Sequence, residues 1–359
     1  MTDWSKSMTQ TFEYYTVNPN TWKDVDLLTN VKSATISRDS TAETLGSANF
    51  DIDDDIGECY IRAYLKVVQN GITERIPLGT FLLQTQSSTF NGKRETRSIN
   101  AYTPLIELKE NPPDLGYTIF KGENIMDNAK ILIREHARAP VVPVSSGITL
   151  YSDFVANSDD TWLSFLSDLI GNAKYGLDLD ELGQILFSPK QDNQALQPVW
   201  TFTSDNASIL HPGMQMERDL YGIPNVLQVI YTKNNEHYET TVKNTDSNSP
   251  VSIQNRGREI TKRITDPDIG GTPTKEMIDD YAKAQLKALS TLTYTISYTH
   301  GYCPARVGDC VRFMYPEAGL KDVKAKVISQ SISCTPGCSV SEKATYTVKL
   351  WGIGTHEKR

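Results

Sequence analysis

The clearest periodicity in the chain lies between residues 275 and 298. Ile278, Tyr281, Ala282, Leu286 and Leu289 recur at helical spacing, while Lys275, Glu276, Asp279, Asp280, Lys283 and Lys287 fill the other faces. This is the pattern of an amphipathic helix laid on a sheet. Thr272 is placed to cap it, and Pro273 to fill a first position where its missing N–H costs nothing. From Thr291 the period drops to two: Leu292, Tyr294, Ile296 and Tyr298 share one face of a predicted strand, and Thr291, Thr293, Thr295 and Ser297 the other. Gly308-Asp309 then turns the chain into a further strand over residues 310–313.

The same period of two dominates the first hundred residues. Segments 12–17, 31–38, 48–52, 59–68, 72–77, 78–86 and 96–102 read as strands, and residues 21–25 as a polar excursion. Asn70-Gly71 marks a tight hairpin and Asn91-Gly92 a second turn. So many short strands in one stretch make a barrel or a sandwich. Pro104, Pro112 and Pro113 break the pattern and place a boundary near residue 105. Beyond it, Ile125, Met126, Ala129, Leu132, Ile133 and His136 outline a helix starting near Asn124. Trp162, Phe165, Leu166, Leu169 and Ile170 outline another behind Asp159, Asp160 and Thr161. Residues 175–189 read as strand, turn and strand around Gly183, which explains Asp178, Asp180 and Glu181 as turn residues better than as a catalytic carboxylate pair. Residues 226–231 form an apolar strand expected to return the chain to a second barrel. A polar stretch, 234–249, has turns at Asn234-Asn235 and over 245–249, and strands 323–333 and 344–351 precede a basic tail at 356–359. No short internal repeat is present.

Composition narrows the classes. The 359 residues, 38% hydrophobic and 22% charged, suffice for more than one core. A net charge of −8 argues against a nucleic-acid grip and is compatible with an acidic channel that DNA slides past. The first seventeen residues contain no apolar core of an export signal, and no apolar run reaches the length of a membrane span, so cytoplasmic folding is expected. Five cysteines without such a signal do not suggest a disulfide framework.

The order "GREI, DPDI, helix, alternating strand, GDCVRF, short loop, strand, YTVKLWG" resembles the C-terminal half of the phage baseplate hub proteins, a family that includes the T-even and Mu tail hubs and relatives in Gram-positive prophages and phage-tail-like bacteriocins. "LLTNVKSATISRDSTAETLGSANFDI" is similar to the opening of the Gram-positive members, and "TWLSFLSDLIGNAKYGLDLDELGQILF" to their inserted domain. The resemblance implies an α+β, mainly β chain with two tail-tube-like β-barrels. The first would occupy residues 1–105 and the second 201–235 with 291–359, separated by an inserted α/β domain at 106–200 and carrying a helix-bearing excursion at 236–290. It implies a non-enzymatic homotrimer that adapts a hexameric tail tube to a trimeric central spike and continues the tube lumen. Its partners would be the spike, the tube or tube-initiator protein and other baseplate proteins, with no sequence-specific nucleic-acid binding, in a phage or contractile phage-like particle assembled in the bacterial cytoplasm.

Candidate chemistry is sparse. Cys303, Cys310, Cys334 and Cys338 cluster late in the chain, and antiparallel strand directions bring them to one rim, with His300 as a substitute ligand. Zinc or an iron–sulfur cluster suits four gathered thiolates, whereas the C-x6-C and C-x3-C spacings suit separate buried thiols or one disulfide equally well. Such a metal would act as a staple; an enzymatic metal is disfavoured because four thiolates leave no open position. Asp51, Asp53, Asp54, Asp55 and Glu58 are dense enough for calcium but lack EF-hand spacing, so a solvated hairpin tip is expected. No H-E-x-x-H, G-x-S-x-G or phosphate loop occurs. The alternative to a hub is a receptor- or carbohydrate-binding tail module, for which Tyr14, Tyr15 and Trp22 are the candidate aromatics.

Overall fold

The computed structural model describes residues 2–53, 55–92, 94–189, 196–232, 237–267 and 274–350. The chain divides into two units: Met1–Met214 with Ser297–Ala344, and Gln215–Ile296 with Thr345–Arg359. It is α+β and mainly β.

The first unit opens with β1 (Thr9–Val17), β2 (Asp24–Leu28), β3 (Val31–Asp39), β4 (Gly46–Ile52), β5 (Tyr60–Gln69), β6 (Ile72–Asn91) and β7 (Arg94–Tyr102). Burial alternates residue by residue in β4, as one inward face requires. β5, between β1 and β6, is buried along both faces. Asn70 and Gly71 take φ of 52° and 77°, the pair of positive values that a two-residue type I′ turn demands. β6 then returns along β5 from Gln69↔Ile72 to Tyr60↔Leu82 and continues past it, with β7 as partner, to Asn91. It is one strand where the pattern suggests two. β2 is likewise a strand where the pattern suggests a polar excursion, because the edge of β1 offers backbone partners from Tyr14↔Leu28 to Val17↔Asp24 whatever the side chains.

An inserted segment follows, comprising α1 (Ile106–Lys109), β8 (Thr118–Ile119), α2 (Ile125–His136), β9 (Phe154–Val155), α3 (Trp162–Asn172), β10 (Tyr175–Leu179) and β11 (Ile185–Pro189). The Asn124 side chain accepts from the N–H of Met126 and Asp127 to cap α2, and Thr161 and Ser164 cap α3 reciprocally. The two helices bury Leu132, Ile133, Phe165, Leu166 and Leu169 in a core of their own. β12 (Trp200–Thr203) leads back towards the sheet.

In the second unit β13 (Gln215–Arg218) precedes β14 (Val226–Tyr231), β15 (Tyr238–Lys243), α4 (Ile253–Arg256), β16 (Thr261–Thr265) and α5 (Lys275–Leu289). β14 lies between antiparallel β15 and parallel β16, so residues 226–231 belong to this small sheet and not to the large one. Buried on both faces, β14 reads as an apolar run that does not reveal its partners. α5 packs Ile278, Ala282 and Leu286 on Leu227, Val229 and Tyr231. Its cap is Thr274, which accepts from the Met277 N–H; Thr272, Pro273, Asn234, Asn235, Asp54 and the tail 356–359 lie outside the described residues.

The chain closes with β17 (Thr291–Gly301), β18 (Cys310–Tyr315), β19 (Leu320–Ser333) and β20 (Ser339–Lys349). In the first unit the sheet runs β17-β20-β19-β3-β4-β7-β6-β5-β1-β2, with β18 on β19 and β12 parallel to β18. Strands expected for the first tube and for the second therefore share one sheet. Their seam is β3 against β19, from Ser329↔Asp39 to Ser333↔Thr35. One core draws on both sides of it, Ile36, Phe50, Leu65 and Phe81 with Ile332, Cys334 and Val340.

Truncating a core leucine costs about 2–5 kcal/mol. Leu286→Ala is expected to lower the unfolding temperature of the second unit and leave amide exchange in β4, β5 and β7 unchanged; differential scanning calorimetry with hydrogen exchange reads both.

Candidate functional site

The turn between β10 and β11 is built from Asp180 to Gln184. Asp180 Oδ1 accepts from the Gln184 N–H at 2.7 Å, and Gly183 sits at φ 77°. A Cβ at Gly183 would lie 2.7 Å from Thr80 Cβ and 3.2 Å from Trp22, so only glycine lets this tip approach the sheet. Three arginines of the first unit hold it. Arg62, buried in β5, donates to Leu182 O at 2.9 Å, to Thr80 Oγ1 at 2.8 Å and to Asp24 at 2.7 Å; Trp22 Nε1 donates to the same Leu182 carbonyl at 2.8 Å. Arg306 donates to Leu179 O and lies 3.4 Å from Glu181 and 3.7 Å from Asp178. Arg38 in β3 lies 3.6 Å from the same Glu181 oxygen. Beside the tip is a cleft of about 310 Å³ lined by Arg38, Leu78, Phe81, Leu177, Arg306 and Lys326, among others. Burial, helped by neighbouring Glu181, pushes the Asp180 carboxyl up.

Arg38 also faces inward. It donates to Leu78 O at 2.6 Å and to Gln330 Oε1 at 3.1 Å, and Gln330 in turn donates to Ala305 O at 2.7 Å and to Glu342. Glu342, buried in β20, also accepts from Tyr298, and His300 Nε2 lies 3.3 Å from its Oε1. The last approach is Coulombic, since the Nε2 geometry does not make a hydrogen bond. Burial alone would lower the His300 pKa, but contact with Cys303 and the Glu342 charge overrule it and push it up to about 10. Burial, and after it Glu342, hold the Tyr298 phenol well above its ordinary value. Glu342 is thus a buried carboxylate supplied with a cation and two donors, the condition for tolerating such a charge.

Cys303, His300 and Glu342 follow one another like nucleophile, base and orienting acid. The sulfur is 3.9 Å from His300 Nδ1, yet that nitrogen is 2.6 Å from Gly301 O, and all three side chains are buried. A nucleophile needs a free base and an approach path, and this group offers neither.

The four clustered cysteines are all free and buried. Cys334 and Cys338 belong to the core around the seam, Cys303 contacts His300, and Cys310 donates to Val311 O at 3.8 Å. Burial pushes the Cys334 thiol up to about 12 and raises those of Cys338 and Cys310. Among the described residues no group of three or more His, Cys, Asp or Glu could hold a metal ion. In the acidic loop Asp51 accepts from Ser33 and Asp53 pairs with Lys32. The three candidate aromatics are engaged inside the fold: Tyr14 is buried against Phe50, Tyr15 and Tyr64 hold the Arg75 guanidinium over their rings at 4.4 and 3.5 Å, and Trp22 packs on Tyr60. His136 stacks on Trp162 at 4.1 Å. Among the described residues no helix is long and apolar enough to cross a membrane.

No family model and no curated protein sequence matches the chain. Solved structures do. A tail protein from Neisseria meningitidis MC58 is 15% identical and covers 96% of this chain and 98% of its own, at a TM-score of 0.63. The 43 kDa tail protein of prophage MuSo2 from Shewanella oneidensis is 10% identical, with 94% and 98% covered, at 0.65. The fold is that of these tail proteins. The tail protein gp18 of a Listeria monocytogenes EGD-e prophage shares this fold at 12% identity, with 93% and 94% covered and a TM-score of 0.52. In this chain, the clamp and the buried network join the parts of the first unit of that tail-protein fold.

Two outcomes follow. With a folded pKa raised to about 10, the stability contributed by His300 is complete below its unfolded value near 6.5 and is lost as pH rises through 10. Glu342→Gln, which strands the imidazolium, should cost about 3–5 kcal/mol at neutral pH and flatten that alkaline loss; thermal melts from pH 6 to 10.5 measure both. The raised Asp180 means that the folded state holds its proton the more tightly, so its charge costs stability at neutral pH and the cost fades on acidification. Asp180→Asn, which keeps the acceptor for Gln184, is expected to raise the melting temperature at pH 7 and to converge on wild type in acid.

Proposed function

We propose that the chain is a structural subunit of a phage or phage-like tail, acting as the baseplate hub between tail tube and central spike. The observation that carries this reading is that its fold corresponds to a Neisseria tail protein and a Shewanella prophage tail protein over almost the whole of both chains. The interior supports it: the charged groups with unusual environments hold strands and an inserted domain together.

The mechanism is geometric. The chain contributes two strand sets, β1–β7 and β12 with β17–β20, joined through the β3–β19 seam. Three copies around a common axis present six such sets, so a trimer can meet a six-membered tube on one side and a three-fold spike on the other. The net charge of −8 suits a conduit to which DNA does not adhere. Such a subunit assembles in the bacterial cytoplasm with its spike, the tube or tube initiator and other baseplate proteins, and performs no turnover.

Native mass measurement tests the reading. The purified chain, alone or with a co-expressed spike candidate, should give a trimer and a complex with three copies of each. A persistent monomer that binds glycans would replace the hub with a receptor-binding module.

A further inference from the structure

β6 is longer than the sheet beside it. From Gln69↔Ile72 to Tyr60↔Leu82 it is flanked by β5, but beyond the Leu83 N–H, which donates to Cys59 O, its only strand neighbour among the described residues is β7. Residues 84–90, QTQSSTF, are all exposed. Exposed sheet edges are ordinarily guarded by lysine, proline, bulges or inward charges, because unpaired N–H and C=O groups recruit other strands. Beyond the bulge between Leu83 and Thr85 at its inner end, this edge carries no charge and no proline of its own. The other strand of the arm is guarded, with Arg94, Glu95 and Arg97 in its sequence and Glu95 paired to Arg97 at 3.0 Å.

Two residues separate Asn91 from Arg94, and the register continues Thr89↔Thr96 and Ser87↔Ser98. In a two-residue hairpin the pair flanking the turn is hydrogen-bonded, and the character alternates along the strands. Asn91, Thr89 and Ser87 therefore spend their backbone groups on β7, whereas Phe90, Ser88 and Gln86 direct theirs outward. Phe90, 73% exposed, supplies an apolar anchor on this side of the arm.

One end of the same sheet path, three places along from β6, is β2, whose only strand partner among the described residues is β1. Its Val25 and Leu27 are 56% and 50% exposed, and as alternate residues they share one face. A single sheet with an uncharged edge at β6 beyond its bulge, and a second edge at β2 whose uncovered Val25 and Leu27 alternate with Asp24, held by Arg62, and Asp26, has the two halves of a head-to-tail contact between copies. Contacts of that kind close into rings where the rotation from copy to copy closes, and otherwise run on as filaments.

We infer that residues 84–90 of β6 accept the β2 strand of a second copy of this chain, so that β-strand addition joins successive subunits, with Phe90 covering Val25 and Leu27. The inference rests on the oligomeric reading above and names the surface through which the copies meet.

Sedimentation and native mass of the full chain test it with variants on each edge. Ser88→Pro removes one outward N–H and Ser88→Lys adds the missing guard; Val25→Lys blocks β2. Each is expected to weaken association tenfold or more while leaving the far-ultraviolet spectrum unchanged, and should Ser88→Pro perturb the fold, Ser88→Lys carries the result. Mixing Ser88→Lys protein, whose β2 is intact, with Val25→Lys protein, whose arm is intact, should give 1:1 dimers that do not close. A variant with wild-type mass, or a mixture that stays monomeric, overturns the strand-addition surface while leaving a hub assembled through other faces standing. Wild-type protein that is monomeric at every concentration, alone and with the spike candidate, overturns the hub reading itself.

Discussion

The hydrogen bonding of β3 to β19 is the constraint on which the first unit depends. Those strands are some 290 residues apart in sequence, and between them the chain makes an inserted domain and a second unit before returning. A backbone ladder fixes direction but tolerates slippage, and a shift of one residue would exchange the two faces of every strand in it. The side chains placed along the seam remove that freedom. Arg38 of β3 reaches Gln330 of β19, Gln330 reaches Glu342 of β20, and Glu342 takes Tyr298 and His300 of β17. In any other register at least one of these would be a buried polar group without a partner, a penalty of the order of 1–3 kcal/mol or more for a charge.

Buried ion pairs seldom add net stability over an apolar packing of the same volume. Their value in this chain lies in exclusivity: Glu342 is satisfied in one arrangement of three strands. The same economy governs the tip between β10 and β11. Two backbone carbonyls and two carboxylates meet Arg62, Arg306, Arg38 and the Trp22 indole, while an apolar-walled cleft remains alongside. Docking is thereby directional. Arg38 contacts Glu181 on one side and Gln330 on the other, so one guanidinium aligns the inserted domain with the seam.

Much of the local structure was legible in the sequence because it rests on local rules. The helices capped by Asn124 and Thr161, the Asn70-Gly71 turn and the alternation of Leu292, Ile296 and Tyr298 all follow from side-chain period and turn chemistry. Three things were not legible for physical reasons. A strand such as β2 owes its existence to the edge it joins, and the partners of β14 depend on where a parallel strand returns from more than thirty residues away. The clamp and network residues looked ordinary: Arg62 occupies a polar slot of an alternating strand, and Glu342 lies in a strand where charges commonly point to water. The only signal was their position, Arg62 beside apolar neighbours on both faces and Glu342 two residues from Val340 and Ala344. The thiols illustrate the converse. Cysteines attract attention by their rarity, and the structure buries Cys334 and Cys338 in the core that also holds Tyr14, a packing role that their spacing did not announce.

The match to tail proteins at 10–15% identity, without any sequence family to bridge it, is consistent with this division. Binary pattern, turn glycines and backbone pairing can be met by very different residues, so a fold survives when almost no side chain does. A buried network has fewer substitutes, because its members are satisfied together or not at all. The buried network thereby makes one arrangement of the fold's elements unique. The chain's exterior is under another constraint, since an edge need only find its partner strand. An uncharged Gln-Thr-Gln-Ser-Ser-Thr run would be a liability on a protein that acts alone, and it becomes intelligible on one whose sheet is completed by a neighbour.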